Sequence, residues 1–156
     1  MGSLVEHMRV RTAVLHSQAE RSGVIAAILA GKVSPELYGL YLRNLLPAYQ
    51  EMEGALRRHP DSALSRGLDW APLLRADWIV ADLRGLAGPD WSRRLPLLES
   101  GAAYAARVAE AATPPGARLI AHAYTRYLGD LSGGQILRRR LGATIAATSF
   151  LEFPGL

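Results

Sequence analysis

Apolar positions return every three or four residues along almost the whole chain, and no segment alternates with a period of two over a useful length. The pattern predicts an all-α protein. Leu4, Val5, Met8, Thr12 and Leu15 mark a first amphipathic helix running to about Arg21, and Val24–Ala30 forms a short apolar helix ending at Gly31. Ser34 followed by Pro35 reads as an N-cap with proline at the first helical position. The helix it opens should reach about Arg58 through Leu37, Tyr41, Leu45, Ala48, Met52 and Leu56, bent by Pro47 within it. His59-Pro60-Asp61 closes that element, Leu73–Leu86 supplies another helix, and Gly88-Pro89-Asp90 is a turn. A helix over about Arg93–Ala112 follows, weakest at Ser100-Gly101. Thr113-Pro114-Pro115-Gly116 then breaks the chain before a long helical stretch, about Arg118–Ala146. No repeat, linker or low-complexity tract divides residues 1–156, so a single domain is expected.

Composition narrows the chemistry. With 156 residues and 49% apolar positions, the chain can bury roughly 68–70% of the surface its unfolded form exposes. The absence of cysteine removes disulfides, thiolate zinc sites, iron–sulfur clusters and a cysteine nucleophile. The longest apolar run, Val24–Ala30, is far short of a membrane span. Residues 1–11 carry Glu6, Arg9 and Arg11 and no apolar signal-peptide core, so the expected compartment is the cytoplasm. A net charge of +4 permits an anionic partner without choosing one.

Common catalytic motifs are missing. There is no G-x-G-x-x-G, P-loop or H-E-x-x-H, and Ser132 lacks the glycine two residues earlier that a nucleophile elbow needs. His7 and His16 lie nine residues apart on the first helix and His59 and His122 elsewhere, with no metal-ligand spacing among them, and no Glu-x-x-His pair suggests a carboxylate-bridged metal site. Arg138-Arg139-Arg140 has no interleaved aromatic residues or reading motif, so it complements a helix dipole better than it marks a nucleic-acid surface.

Two segments do not read as ordinary helix. In Tyr124 to Gln135, glycines stand at 129, 133 and 134 inside a helical pattern. Each costs about 0.8–1.0 kcal/mol against alanine in a helix interior. They strip side chains from the helix and let something approach its backbone, with Asp130 and Ser132 as polar neighbours. A helix C-cap at Gly133-Gly134, close helix–helix packing at Gly129 and Gly133, and a flat ligand on the glycines are the three readings left open. The first helix carries His16 and Glu20 four residues apart, hence on one face. A carboxylate on one ring nitrogen would fix the tautomer and turn the other outward as a metal ligand, although an exposed His–Glu pair is the plainer reading. Arg9 lies two helical turns before His16 on nearly the same stripe.

Taken together, these segments closely resemble the heme oxygenase family. Tyr124 to Gln135 resembles its distal-helix signature, and His16-Ser17-Gln18-Ala19-Glu20 its proximal segment. Tyr49-Gln50-Glu51-Met52-Glu53 falls where the family has a tyrosine and acidic residues, and the likeness runs in register over nearly the whole chain. It implies a multi-helix bundle with heme between a proximal and a glycine-containing distal helix. His16 would be the axial iron ligand and Glu20 its partner, while Gly129 and Gly133 would let the distal helix lie close over the porphyrin. Gly134 would give that helix its freedom to close. Asp130 would hold an ordered water beside the bound oxygen, Arg126 and Tyr49 would extend that polar network, Arg9 would meet a propionate, and Tyr124 and Ser132 would line the pocket.

The implied reaction is oxidative opening of heme, at once cofactor and substrate, to biliverdin, carbon monoxide and ferrous iron, using O2. Electrons would come from a ferredoxin or an NAD(P)H-dependent reductase, since no flavin or nicotinamide motif is present, and the protein could act as a monomer. The rival is a heme carrier or sensor that does not turn over; retention of Asp130 argues against it. The sequence stops at Phe150-Leu151-Glu152-Phe153-Pro154-Gly155-Leu156. The family continues from such a segment into further helices, so the expectation is a portion of a longer chain.

Overall fold

A computed structural model describes residues 4–59, 69–113 and 116–155. Seven α-helices are present among the described residues: α1 (Leu4–Glu20), α2 (Gly23–Leu29), α3 (Pro35–Arg58), α4 (Ala76–Ala87), α5 (Trp91–Arg94), α6 (Glu99–Ala111) and α7 (Ala117–Leu141). Two 3₁₀ turns, Ala71–Leu73 and Ser149–Leu151, complete the order. None of the described helices is long and apolar enough to cross a membrane. Residues 60–61 and 114–115 of the two expected breaks lie outside the described residues.

The central element is α3, packed on α4 and α6, with α7 running over α2, α3 and α6. Ser34 opens it as expected: its Oγ accepts the Leu37 N–H at 3.2 Å, and Pro35 takes the first helical position, where a missing N–H costs nothing. The helix continues through Pro47 for its full 24 residues. Leu42, Leu46 and Met52 from α3 meet Ile79 and Leu83 from α4, Val108 from α6, and Leu119 and Leu141 from α7 in one core.

Four expectations are corrected. The helix expected over Arg93–Ala112 is two, separated at Leu95–Leu98, because Pro96 pushes Leu95 into extended backbone. Gly101 is no weak point. It lies inside α6 where that helix crosses α3, and a β-carbon there would stand 2.5 Å from Asn44 Oδ1 and 3.0 Å from the Asn44 carbonyl oxygen. Asn44 also donates to the Pro96 carbonyl at 3.2 Å and accepts the Leu98 N–H at 2.7 Å.

The helix expected from Leu73 starts at Ala76. Its cap comes from another helix: Glu53 Oε1 accepts the N–H groups of Arg75 at 2.6 Å and Ala76 at 2.9 Å. Finally, α7 stops at Leu141 rather than Ala146, and the chain turns at Gly142 to bury Ile145, Phe150 and Leu151.

By contrast, α1 keeps few of its side chains from solvent. It packs chiefly on α2, and Val10, Val14 and Leu15 remain 68–71% exposed. Of the positions that predicted an amphipathic helix, Thr12 and Leu15 are exposed and Met8 is half-buried.

Candidate active site

Where α7 passes α3, Tyr49 meets Asp130 and Arg126. One α-helical turn brings Arg126 and Asp130 onto the same side of α7, and Tyr49 reaches them from the middle of α3. The Tyr49 hydroxyl donates to Asp130 Oδ2. Arg126 Nε donates to the Tyr49 hydroxyl at 3.1 Å, and its Nη2 lies 3.5 Å from Asp130 Oδ1. Tyr49 is fully buried and Asp130 nearly so.

Burial pushes the Asp130 carboxyl up to about 6, against the pull of Arg126 and the Tyr49 hydrogen bond. Burial likewise lifts the Tyr49 phenol well above its ordinary range. For Arg126, burial works against the charge, but Tyr49, Asp130 and Tyr41 outweigh it and hold the guanidinium protonated. The cluster therefore contains one group that titrates near neutrality, between two that do not.

The glycines divide by face. Gly129 and Gly133, four apart and so on one side, are exposed, and a β-carbon at either would meet no atom within 4 Å. No described residue packs on this face, and α7 runs on to Leu141, so the pair does not cap the helix. Gly134, about 100° further round the helix, points the other way: it is buried, and a β-carbon there would sit 3.1 Å from Leu151 Cδ2. Its place is explained by close packing against the tail.

His16 and Glu20 pair as their spacing requires, with Nδ1 3.6 Å from Oε1 and the imidazole 73% exposed. Arg9 is exposed on the same helix, and Tyr124 is half-buried on α7. Ser132 is exposed, and its hydroxyl donates to the Leu128 carbonyl at 2.6 Å. The structure thus brings Tyr49, Arg126 and Asp130 into direct contact and holds His16 with Glu20 as a separate pair.

A family model described as heme oxygenase matches residues 2–156. The chain belongs to the heme oxygenase family. It is 35% identical over 136 residues to heme oxygenase 1 of a Nostoc species, covering 87% of this chain and 57% of that protein. It is 33% identical over 161 residues to heme oxygenase 2 of Synechocystis, covering 100% of this chain and 64% of that protein. The chain spans less than two thirds of the length of these two relatives. Its fold matches heme oxygenase-1 from the cyanobacterium Synechocystis, solved in complex with heme, with a TM-score of 0.86 at 32% identity, covering 99% of this chain and 72% of that one. It also matches a heme oxygenase from Leptospira interrogans at 0.87 and 29% identity, covering 99% and 78% of the two chains.

In this heme oxygenase family member, three residues at the site carry no signal in the sequence. Tyr41 stands beside Arg126 and helps hold its charge. Phe150 lies edge-on to Tyr49, ring centroids 5.6 Å apart. Asp82 holds the main chain of Ser149 and Phe150. Helical periodicity marks Tyr41 only as a core position, and the other two act through a contact between distant segments.

Proposed function

We propose that this chain carries the catalytic machinery of a heme oxygenase, opening its heme substrate to biliverdin, carbon monoxide and ferrous iron. One observation carries the reading: the open backbone at Gly129 and Gly133 lies on the same helix as Arg126 and Asp130, which meet Tyr49 of α3 in a buried cluster. A flat ligand needs the first, and controlled proton delivery needs the second.

The residues fit an iron porphyrin. His16 faces Glu20 through Nδ1, so its Nε2 would be the nitrogen that holds the heme iron, with Glu20 beside the ring. Leu15, exposed next to His16, supplies apolar surface for a planar, largely apolar molecule. Arg9 provides a cation for a propionate, and Tyr124 and Ser132 complete the distal-helix set. When bound, the heme supplies both the iron that activates O2 and the ring that is opened. Burial pushes the Asp130 carboxyl up to about 6, which makes it the one group of the cluster able to take up and give up a proton near the working range. Tyr49 and Arg126 keep that carboxylate oriented and do not themselves titrate there. Electrons come from a ferredoxin or an NAD(P)H-dependent reductase, and the net charge of +4 suits an acidic donor.

The test is an absorption time course of the protein with one equivalent of hemin, then ascorbate or reduced ferredoxin in air. Loss of the Soret band with biliverdin appearing is the expected result. A heme complex that stays intact under competent reduction overturns the reading in favour of a carrier or sensor.

A further inference from the structure

The segment after α7 is gripped from two sides. From α4, Asp82 accepts the Ser149 N–H on Oδ1 at 2.9 Å and the Phe150 N–H on Oδ2 at 2.8 Å. Arg75 donates from Nη1 to the Glu152 carbonyl, and its guanidinium lies 4.2 Å from the centroid of the Phe153 ring. From α7, Gln135 Nε2 donates to the Leu151 carbonyl at 2.9 Å, and Arg138 pairs with Glu152 at 2.7 Å. What this grip seats is specific: the Phe150 ring edge-on to Tyr49, and Leu151 over Gly134, one turn from Asp130.

Asp82 is only 2% exposed, and a carboxylate taken out of water costs several kcal/mol unless its oxygens are well bonded. Here both oxygens are spent on consecutive main-chain N–H groups of a three-residue turn. Capping so short a turn is a small return for stability. Fixing where Phe150 stands is a larger one, because that ring packs edge-on against Tyr49.

We propose that Asp82 is a positioning residue of the site. By fixing Ser149 and Phe150 it holds the Phe150 ring against Tyr49, which keeps the Tyr49 hydroxyl on Asp130 and water away from the pair. The consequence for turnover rests on the heme oxygenase reading; the consequence for Asp130 does not.

Asp130 interacts electrostatically with Tyr38, Tyr41 and Tyr49 of α3 and with Arg75, just before α4. Tyr104 of α6 and Arg126 and Tyr127 of α7 complete the set. Phe150→Leu leaves all of these and every charge in the chain, so a change at Asp130 in that variant reports access of water, whereas Asp82→Asn also removes a negative charge. The experiment follows carbon-13 carboxyl resonances of the ligand-free protein against pH in wild type, Asp82→Asn and Phe150→Leu, with far-ultraviolet circular dichroism to confirm folding. Phe150→Leu removes no charge and carries the test alone should Asp82→Asn not fold. In wild type Asp130 titrates near about 6. In the variants the midpoint moves down by about one unit as water replaces the ring. Folded variants that titrate like wild type overturn the proposal. Wild-type protein that makes no biliverdin defeats the functional reading instead and leaves this comparison standing.

Discussion

Tyr49 on α3 and Asp130 on α7 lie 81 positions apart in the chain and share a hydrogen bond that solvent does not reach. The tyrosine gives that carboxylate a donor where burial has removed water, and the Arg126 guanidinium faces its other oxygen. Stability, proton affinity and chemistry at this point are therefore tied to the same three side chains.

The first consequence is a pH dependence of folding. Burial holds the Asp130 carboxyl at about 6 in the folded chain, above its ordinary value of 3.8, so the fold favours the protonated form. The associated stabilisation is full below about 4 and lost as pH rises through 6, a change of about 3 kcal/mol from this one group. Urea unfolding of wild type and Asp130→Asn across that window checks it. The difference between the two curves should change steadily with pH, and parallel curves would refute the assignment.

Substitution of Asp130 by alanine should separate binding from turnover. Heme affinity stays near wild type because the carboxylate is bonded to Tyr49 and Arg126 rather than presented to the open face. Biliverdin yield falls roughly a hundredfold or more, the usual consequence of losing a positioned proton donor. The heme-loaded variant is expected instead to oxidise an added phenol with peroxide. Wild-type biliverdin yield would sink the proton-transfer role.

His16→Ala tests the axial ligand. The ring is 73% exposed and its loss leaves no cavity, so unfolding free energy should change by no more than about 0.5 kcal/mol. The ferric heme spectrum and affinity should change markedly. If both match wild type, His16 does not ligate the iron.

Gly133→Ala offers a sharper contrast. Nothing stands within 4 Å of the added carbon, so the ligand-free helix should gain about 0.8–1.0 kcal/mol. Heme affinity should drop at least tenfold, about 1.4 kcal/mol, as the methyl group enters the space meant for the ring. At Gly101 the same substitution collides with Asn44 and should destabilise the protein by about 1–3 kcal/mol. Thermal unfolding and heme titration of both variants decide the matter. Equal heme affinity in Gly133→Ala would show that the bare face is not the seat of the ligand.

What the sequence discloses depends on how local the cause is. Ser34 and Pro35 set the start of α3 with chemistry contained in four residues, and that boundary is found where expected. The start of α4 depends on Glu53, more than twenty residues earlier, and no reading along the chain could supply it. Glycines 129, 133 and 134 announce an unusual helix, yet their division into two open positions and one packed position follows only once Leu151 is known to return against α7. The likeness to heme oxygenases named Tyr49, Arg126 and Asp130 together, which no reading of helical spacing had done. Phe150 and Asp82 were out of reach, because their role consists of contacts made across the fold.

The way α1 is attached has its own outcome. A helix that rests chiefly on α2, with Val10, Val14 and Leu15 in solvent, can open without disturbing the core. In the ligand-free protein its amides should exchange with deuterium far sooner than those of α3. A ligand seated on His16 must first hold this helix in place, and the measured affinity is then lower than the contacts themselves would give. Whatever else covers α1 sets how tightly the heme is held, without touching the heme at all.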